Sequence, residues 1–473
     1  MSQYKCVTEL EKWLDSFLNF EKKPEKNIFW LDTVQFFCRK LGNPETFCPS
    51  VHIAGSKGKG SVSAMLSSIL EESGAKTGLY TSPHIIDFIE RIGTAHSCFS
   101  EEIYEKAAQE LKSCVNSTKT DQLPGQRPVT WFELVTIYAF LCFRQAKNNF
   151  SVFETGLGGR LDATNVLTPE LCILMPIELE HTQFLGSTLA QIAAEKAGII
   201  KENTPVISAR QENEAEKIFE EKAMEKNAPF YKIEQLVDRL SIEYVSRCIK
   251  NNTLSENLSS KTFSLKENQP STFQHFKMKT QISGKLFKKP VCAELQLLGK
   301  IQAENAAIAA CAAKLLLPQL DEEIIASGLE KAFMPGRFET ISDRIILDGA
   351  HTVNSIKFTM NTFNTLFPQK KAHLLFACAS DKDMTDIAEL LKNRFEKIIL
   401  TKPGSVKHSD INALKLAFDS AGLTYTAIED YRTAIRKALE NAEKEDAVLL
   451  ATGSFYLVAE IKKELSLNKH QTW

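Results

Sequence analysis

None of the eleven cysteines falls into a C-x-x-C pair. That removes the usual zinc and dithiol signatures and fits free, mostly buried thiols in a reducing compartment. Neither sign of charge dominates: 57 lysines and arginines face 59 acidic residues, a net charge of -2. There is accordingly no electrostatic case for nucleic-acid binding, and basic partners are not implied either. Long apolar runs are missing as well. The longest, Leu134 to Phe143, is far too short to span a bilayer. The opening MSQYKCVTELEKWLDSF is charged and amphipathic rather than an apolar leader. The expectation is a cytoplasmic protein with no membrane and no nucleic-acid partner. No repeat at a fixed period is visible, which sets solenoids aside.

What is present is an ordinary globular composition, 43% hydrophobic and 25% charged over 473 residues, long enough for about two domains. From about residue 51, short apolar runs alternate with helical periodicity, the pattern of an α/β domain with a mainly parallel sheet. Val51 to Ala54, Thr77 to Tyr80, Phe150 to Glu154 and Leu171 to Pro176 read as strands. A polar stretch from about Ser246 to Phe276 reads as a long surface excursion. A second α/β series begins near Ile345 with IILD, AHLLFACA, KIILT and AVLLATG. The Pro-Gly punctuation of FMPGRFET, Phe333 to Thr340, places a boundary between the two series. The expected division is 1–336 and 337–473, the second domain smaller and Rossmann-like.

The most informative stretch is HIAGSKGKGSVSAML, His52 to Leu66. A strand-like run, a glycine turn and an apolar helix closed by Gly74 aim backbone N–H groups and a helix N-terminus at an anion. Lys59 supplies a mobile positive charge for the outer phosphates, so the loop reads as a nucleotide triphosphate site. It is not the G-x-x-x-x-G-K-[ST] pattern: Ile53 stands at the first glycine position and Gly60 separates Lys59 from the hydroxyl of Ser61. Glu154 ends an apolar strand before Thr-Gly-Leu-Gly-Gly, where a carboxylate is either a hard oxygen ligand for magnesium or a cap for the loop. Thr188-Leu-Ala-Gln191 is a capping box opening a helix that carries Lys196.

The departure from the common pattern is specific. G-[ST]-[NK]-G-K-G-[ST] resembles the phosphate loop of the Mur ligase superfamily, and the surrounding residues resemble its folylpolyglutamate synthase/dihydrofolate synthase branch. GLYTSPHIIDFIERI, TWFELVT, FETGLGGRLDATNV, HTQFLGSTLAQIAAEKAGIIK, MPGRFE, LDGAH and ATGSFYLVAEI follow in the branch's order, from about 50 to 460. The resemblance implies an N-terminal ATPase domain of Mur ligase type, a C-terminal glutamate-binding domain, ATP and Mg2+ as cofactors, and a monomer. It implies a ligase joining L-glutamate to dihydropteroate, to a reduced folate, or to both, through an acyl phosphate.

Site residues follow from the same resemblance. Gly55, Ser56, Lys57, Gly58, Lys59, Gly60 and Ser61 would hold ATP, with Asn305, Arg337 and Asp348. Ser61, Ser82, Glu154 and His181 would hold metal, although a serine before proline is commonly a turn residue and a lone histidine commonly structural. Lys196 would be carbamylated; on sequence alone the favoured reading is a helical ion-pairing residue. Arg337 on a hinge could reach phosphate on domain closure or form an interdomain salt bridge. Thr130, Phe132, Glu133, Leu161 and Asp162 are candidates for the pteroate pocket; Trp131 and Phe132 could flank a pterin, though aromatics in an apolar helix are more often core. His351 and Ser454 would face glutamate, His351 near the reacting groups. The chain departs from its relatives at Thr352, usually Asn, at Lys57, Asn in many bacterial members, and at Ile89, often Asn.

Other readings remain at this point. A Mur-type ligase acting on a nucleotide-linked sugar shares the chemistry, but T-S-P-H and R-L-D-A-T-N favour the folate branch. A phosphoryl-transfer enzyme or nucleotide switch would not need the second α/β domain. A non-catalytic folate binder is weakened by Lys59, Glu154, His181 and Lys196 occurring together.

Overall fold

A computed structural model describes residues 4–20, 30–249, 273–380, 382–404 and 409–468. The chain divides into two compact units: Met1–Ser241 with Thr280–Ala293 and Gln302–Phe333, and Ile242–Lys279 with Glu294–Ile301 and Met334–Trp473.

The first unit is built on a seven-stranded sheet of β1 (Ser50–Ala54), β2 (Thr77–Tyr80), β3 (Ile92–Gly93), β4 (Phe150–Glu154), β5 (Leu171–Leu174), β6 (Val206–Ser208) and β7 (Phe230–Lys232). Its order is β3-β2-β4-β1-β5-β6-β7. Every pairing is parallel except β2 with β3. All five residues of β1 are buried, as its near-continuous apolar sequence requires of a strand covered on both faces. Because β2, β4, β1 and β5 run together, Thr81, Glu154, Gly55 and Met175 leave the sheet on one edge, where open α/β sheets bind ligands. Helix Lys59–Glu72 follows β1 and is buried from Gly60 through Leu70. Gly74, just past its C-cap, takes φ 91°, as its sequence position suggested.

The second unit carries a six-stranded sheet of β11 (Glu339–Ser342), β12 (Ile345–Leu347), β13 (Ala372–Phe376), β14 (Lys397–Leu400), β15 (Thr426–Ala427) and β16 (Val448–Thr452), ordered β11-β12-β16-β13-β14-β15. Only β11 is antiparallel. Helices Val353–Leu366, Met384–Leu390, Ile411–Ser420 and Tyr431–Lys444 open on Thr352, Asp383, Asp410 and Asp430, each accepting a backbone N–H of the first turn. Such caps stabilise by about 1 kcal/mol each. A further three-stranded sheet, β10-β9-β8, consists of β8 (Val237–Ile249), β9 (Phe273–Gly284) and β10 (Val291–Leu295).

The polar excursion expected over 246–276 is therefore shorter than its composition suggested, since both flanks are strand; residues 250–272 lie outside the described residues. The ten described cysteines are all free. Among the described residues, no helix is long and apolar enough to cross a membrane.

Candidate active site

The glycine loop is shaped by its neighbours. Ser56 and Lys57 donate their N–H groups to the Pro176 carbonyl at 2.9 and 3.4 Å. The Ser56 hydroxyl donates to Glu178 O at 3.2 Å and accepts from Glu178 N at 3.0 Å. A Cβ on Gly55 would lie 2.5 Å from that of Met175, and one on Gly58, at φ 85°, would lie 2.8 Å from Asn305 Oδ1. Only glycine fits either position. Asn305 is thereby brought against the loop, its amide donating to Gln302 Oε1 at 3.0 Å. Ser61 is buried on the first helical turn.

Three lysines converge here. Lys59 Nζ donates to Gly55 O at 2.9 Å, and Lys196 Nζ donates to the same carbonyl at 2.8 Å. Lys196 also meets Glu180 Oε1 at 3.1 Å, while Lys57 Nζ stands 3.6 Å from Glu180 Oε2. The Lys196 side chain is only 2% exposed. Burial lowers its ammonium to about 8, against the opposing pull of Glu180. Burial raises the Glu180 carboxyl, but Lys196, Lys59, Lys57 and His181 together outweigh it and hold it at about 2. Glu180 was not singled out in the sequence. The available signal was its place beside His181 after β5, an acid next to a candidate ligand.

Glu154 ends β4 and is buried, with Oε2 accepting from Ser82 N at 3.2 Å. The loop carrying Ser82 is fixed from below. Glu90 accepts the N–H groups of Ile85, Ile86 and Asp87 at 2.7, 3.0 and 3.0 Å. Arg91, 1% exposed, donates to His84 Nδ1 at 2.8 Å and lies 4.9 Å from the Trp131 ring. His181 is exposed and takes a left-handed φ of 48° at the start of helix Thr182–Leu185. Among the described residues, no three His, Cys, Asp or Glu side chains stand close enough to hold a metal unaided. A buried carboxylate such as Glu154 suits magnesium, which keeps waters and takes its remaining oxygens from bound phosphates.

The pteroate candidates are brought to neighbouring positions but not to equal tasks. Thr130 and Glu133 form a capping box for helix Trp131–Gln145, with Thr130 N and Oγ1 both donating to Glu133 Oε2 at 2.7 Å. Burial raises the Glu133 carboxyl to about 7. The Phe132 ring closes over Gly156, whose Cβ would lie 2.3 Å from it, whereas Trp131 is core. Leu161 is half-buried. Asp162 is buried, and its carboxylate accepts from Gly156, Leu157 and Thr164 N–H groups at 2.9, 2.8 and 3.0 Å. It organises the glycine loop after β4. His52 Nε2 meets Thr164 Oγ1 at 2.7 Å, and burial lowers that imidazole to about 3.

In the second unit, Arg337 lies over the Phe455 ring at 4.5 Å. Asp348 is buried and accepts Phe338 N at 2.7 Å, Ala350 N at 2.9 Å and Thr359 Oγ1 at 2.8 Å. Glu339 accepts Gly336 N at 2.8 Å and pairs with Lys462 at 2.7 Å. The turn that presents Arg337 is thus fixed within this unit. His351 is half-buried, its Nδ1 2.8 Å from Gly349 O. Ser454 is buried at the end of β16, its hydroxyl accepting Tyr456 N at 3.1 Å. Thr352 caps helix Val353–Leu366, a task for which threonine and asparagine are both suited. That accounts locally for this departure from the relatives.

A mainly parallel sheet with a glycine loop and a lysine cluster at its carboxyl edge, together with a second sheet of Rossmann type, defines a nucleotide-using ligase of Mur type. A family model for the Mur ligase glutamate ligase domain matches residues 336–455. The dihydrofolate synthase/folylpolyglutamate synthase of Bacillus subtilis (strain 168) is 30% identical over 472 residues, 98% of this chain and 100% of that protein. The solved folylpolyglutamate synthase of Thermotoga maritima is 28% identical, with a TM-score of 0.75 over 98% of this chain and 97% of that one. A solved FPGS–AMPPCP–folate complex is 25% identical, with a TM-score of 0.75 over 97% and 99%. The chain belongs to the dihydrofolate synthase/folylpolyglutamate synthase family of ATP-dependent ligases.

Proposed function

We propose that this enzyme joins L-glutamate by an amide bond to the carboxylate of a folate, accepting both dihydropteroate and reduced folates, as a cytoplasmic monomer. The observation that carries the reading is that Lys59 on Gly55 O and Lys57 facing Glu180 place two ammonium groups at the mouth of the glycine loop, with the buried Lys196 Nζ beside the same carbonyl and carboxylate. Such a cluster suits the charge that develops when a phosphoryl group moves.

In this reading an oxygen of the folate carboxylate attacks the γ-phosphorus and ADP leaves with the bridging oxygen. The glutamate amine then attacks the acyl carbon, inorganic phosphate leaves, and the nitrogen gives up its surplus protons. Residues 1–336 hold ATP and residues 337–473 hold glutamate. The N–H groups of Gly55 to Ser61 and the Lys59 ammonium take the phosphates, with Asn305 against the loop and Arg337 and Asp348 contributing from the C-terminal domain. Ser61, Ser82, Glu154 and His181 would hold Mg2+, which when bound neutralises phosphate charge. Lys196, buried and with its ammonium lowered to about 8, takes up carbon dioxide through its neutral fraction as a carbamate. Thr130, Phe132, Glu133, Leu161 and Asp162 shape the pteroate pocket, and His351 and Ser454 receive glutamate. Purified protein given magnesium, ATP, glutamate and either substrate should release ADP in step with a product heavier by one glutamyl unit. Nucleotide hydrolysis without such a product would overturn the reading.

A further inference from the structure

We infer that Glu180 is a positioning residue for the ligation, a single carboxylate that sets both the Lys57 ammonium of the phosphate loop and the Nζ of Lys196. The inference rests on the ligase reading above and deepens it. Its geometry divides the two oxygens: Oε1 meets Lys196 Nζ at 3.1 Å and Oε2 faces Lys57 Nζ at 3.6 Å. The Glu180 side chain is only 16% exposed and that of Lys196 2%. In so shielded a place, an ion pair constrains its partners more than on an open surface, and leaving one ammonium there without a counter-charge is costly.

The two lysines need this for different reasons. Lys57 lies in a loop whose backbone is tied to Pro176 O by its own N–H and that of Ser56, and its side-chain ammonium faces Glu180 Oε2 at 3.6 Å. Lys196 donates to Gly55 O at 2.8 Å as well as to Glu180, so two acceptors fix the direction of Nζ. A carbamate on that nitrogen would retain one N–H, and an acceptor at Glu180 would then determine which way its oxygens face. The lysine at position 57 thus comes with an acid facing it.

The test is a double-mutant cycle in the full-length protein, read both as ADP affinity by calorimetry and as steady-state kinetics with ATP varied. K57N should weaken ADP binding about five-fold in the parent and less than two-fold in E180Q, because without the carboxylate Lys57 is no longer set. E180Q retains an acceptor for Lys196 and should lower kcat about ten-fold; E180A removes it and should lower kcat about a hundred-fold, and both should weaken ADP binding by no more than the roughly five-fold that Lys57 supplies. E180D should recover part of the loss. Equal K57N effects in parent and E180Q, or a kcat for E180A within two-fold of the parent, would overturn the inference. So would a uniform loss of active protein with unchanged kinetics in the soluble fraction, which is what a purely structural role gives. If E180A does not fold, E180Q and E180D still decide through the cycle and through kcat. Should the parent turn over neither folate, the substrate reading fails, while the ADP cycle still tests Glu180.

Discussion

The glycine loop of the first unit and the Gly336 to His351 turn of the second serve one reaction in this account, yet they manage charge in opposite ways. In the loop three lysines gather around one carboxylate and one carbonyl, and the ammonium groups of Lys57 and Lys59 suit an incoming polyanion. In the turn the one buried carboxylate, Asp348, is occupied by two N–H groups and a hydroxyl, while Arg337 lies on an aromatic face. The carboxylate of the first region faces side-chain charge, while that of the second is taken up mainly by backbone N–H groups. Substitutions of charge should therefore act mainly on chemistry in the first and on ligand affinity or local order in the second.

Lys59→Ala is the strongest way to press that comparison. It should cost at least about a thousand-fold in kcat while leaving the thermal midpoint unchanged, since the Lys59 ammonium serves phosphate rather than packing. An active variant would break the assignment of the loop. Lys196→Ala should cost about a hundred-fold, with partial recovery on adding small carboxylates; activity near that of the parent would remove the carbamate from the account. In the second unit, Ser454→Ala should raise KM for glutamate about ten-fold with ADP affinity unchanged. An effect confined to ADP would place that serine on the wrong substrate.

Two smaller effects sharpen the contrast through stability. Glu133 is raised to about 7 in the folded protein, above its ordinary range, so the folded state holds a proton that the unfolded chain releases. Stability is accordingly lost as pH rises through about 4.5 to 7. Glu133→Gln keeps the capping acceptor without that loss and should be the more stable protein by about 1–3 kcal/mol at pH 8, with little difference at pH 4. Urea denaturation at the two pH values checks it. Thr352→Asn should change stability by no more than about 0.5 kcal/mol, since both residues cap a helix well. A large loss would mean that Thr352 has a task beyond the cap.

What could be read from the sequence was local. The strand, glycine loop and helix around Lys59, the capping box at Thr188 and Gln191, and the short apolar runs of both sheets all depend on residues a few positions apart. What escaped depends on distant partners. Glu180 gains its meaning from Lys57 and Lys196, which the fold brings to it from another strand's loop and another helix. For Asp162 and Asp348, named from the resemblance, the structure adds contacts with nearby backbone N–H groups, which no side-chain pattern encodes. The long excursion was overestimated because the outer residues of β8 and β9 are polar enough to resemble a loop.

The most direct measurement of the central claim is ADP release with magnesium, ATP and L-glutamate, with dihydropteroate in one reaction and tetrahydrofolate in another, and product masses read in each. The account predicts turnover in both, each product heavier by one glutamyl unit. ADP release that is independent of glutamate, or none with either folate while ATP is bound, would contradict it.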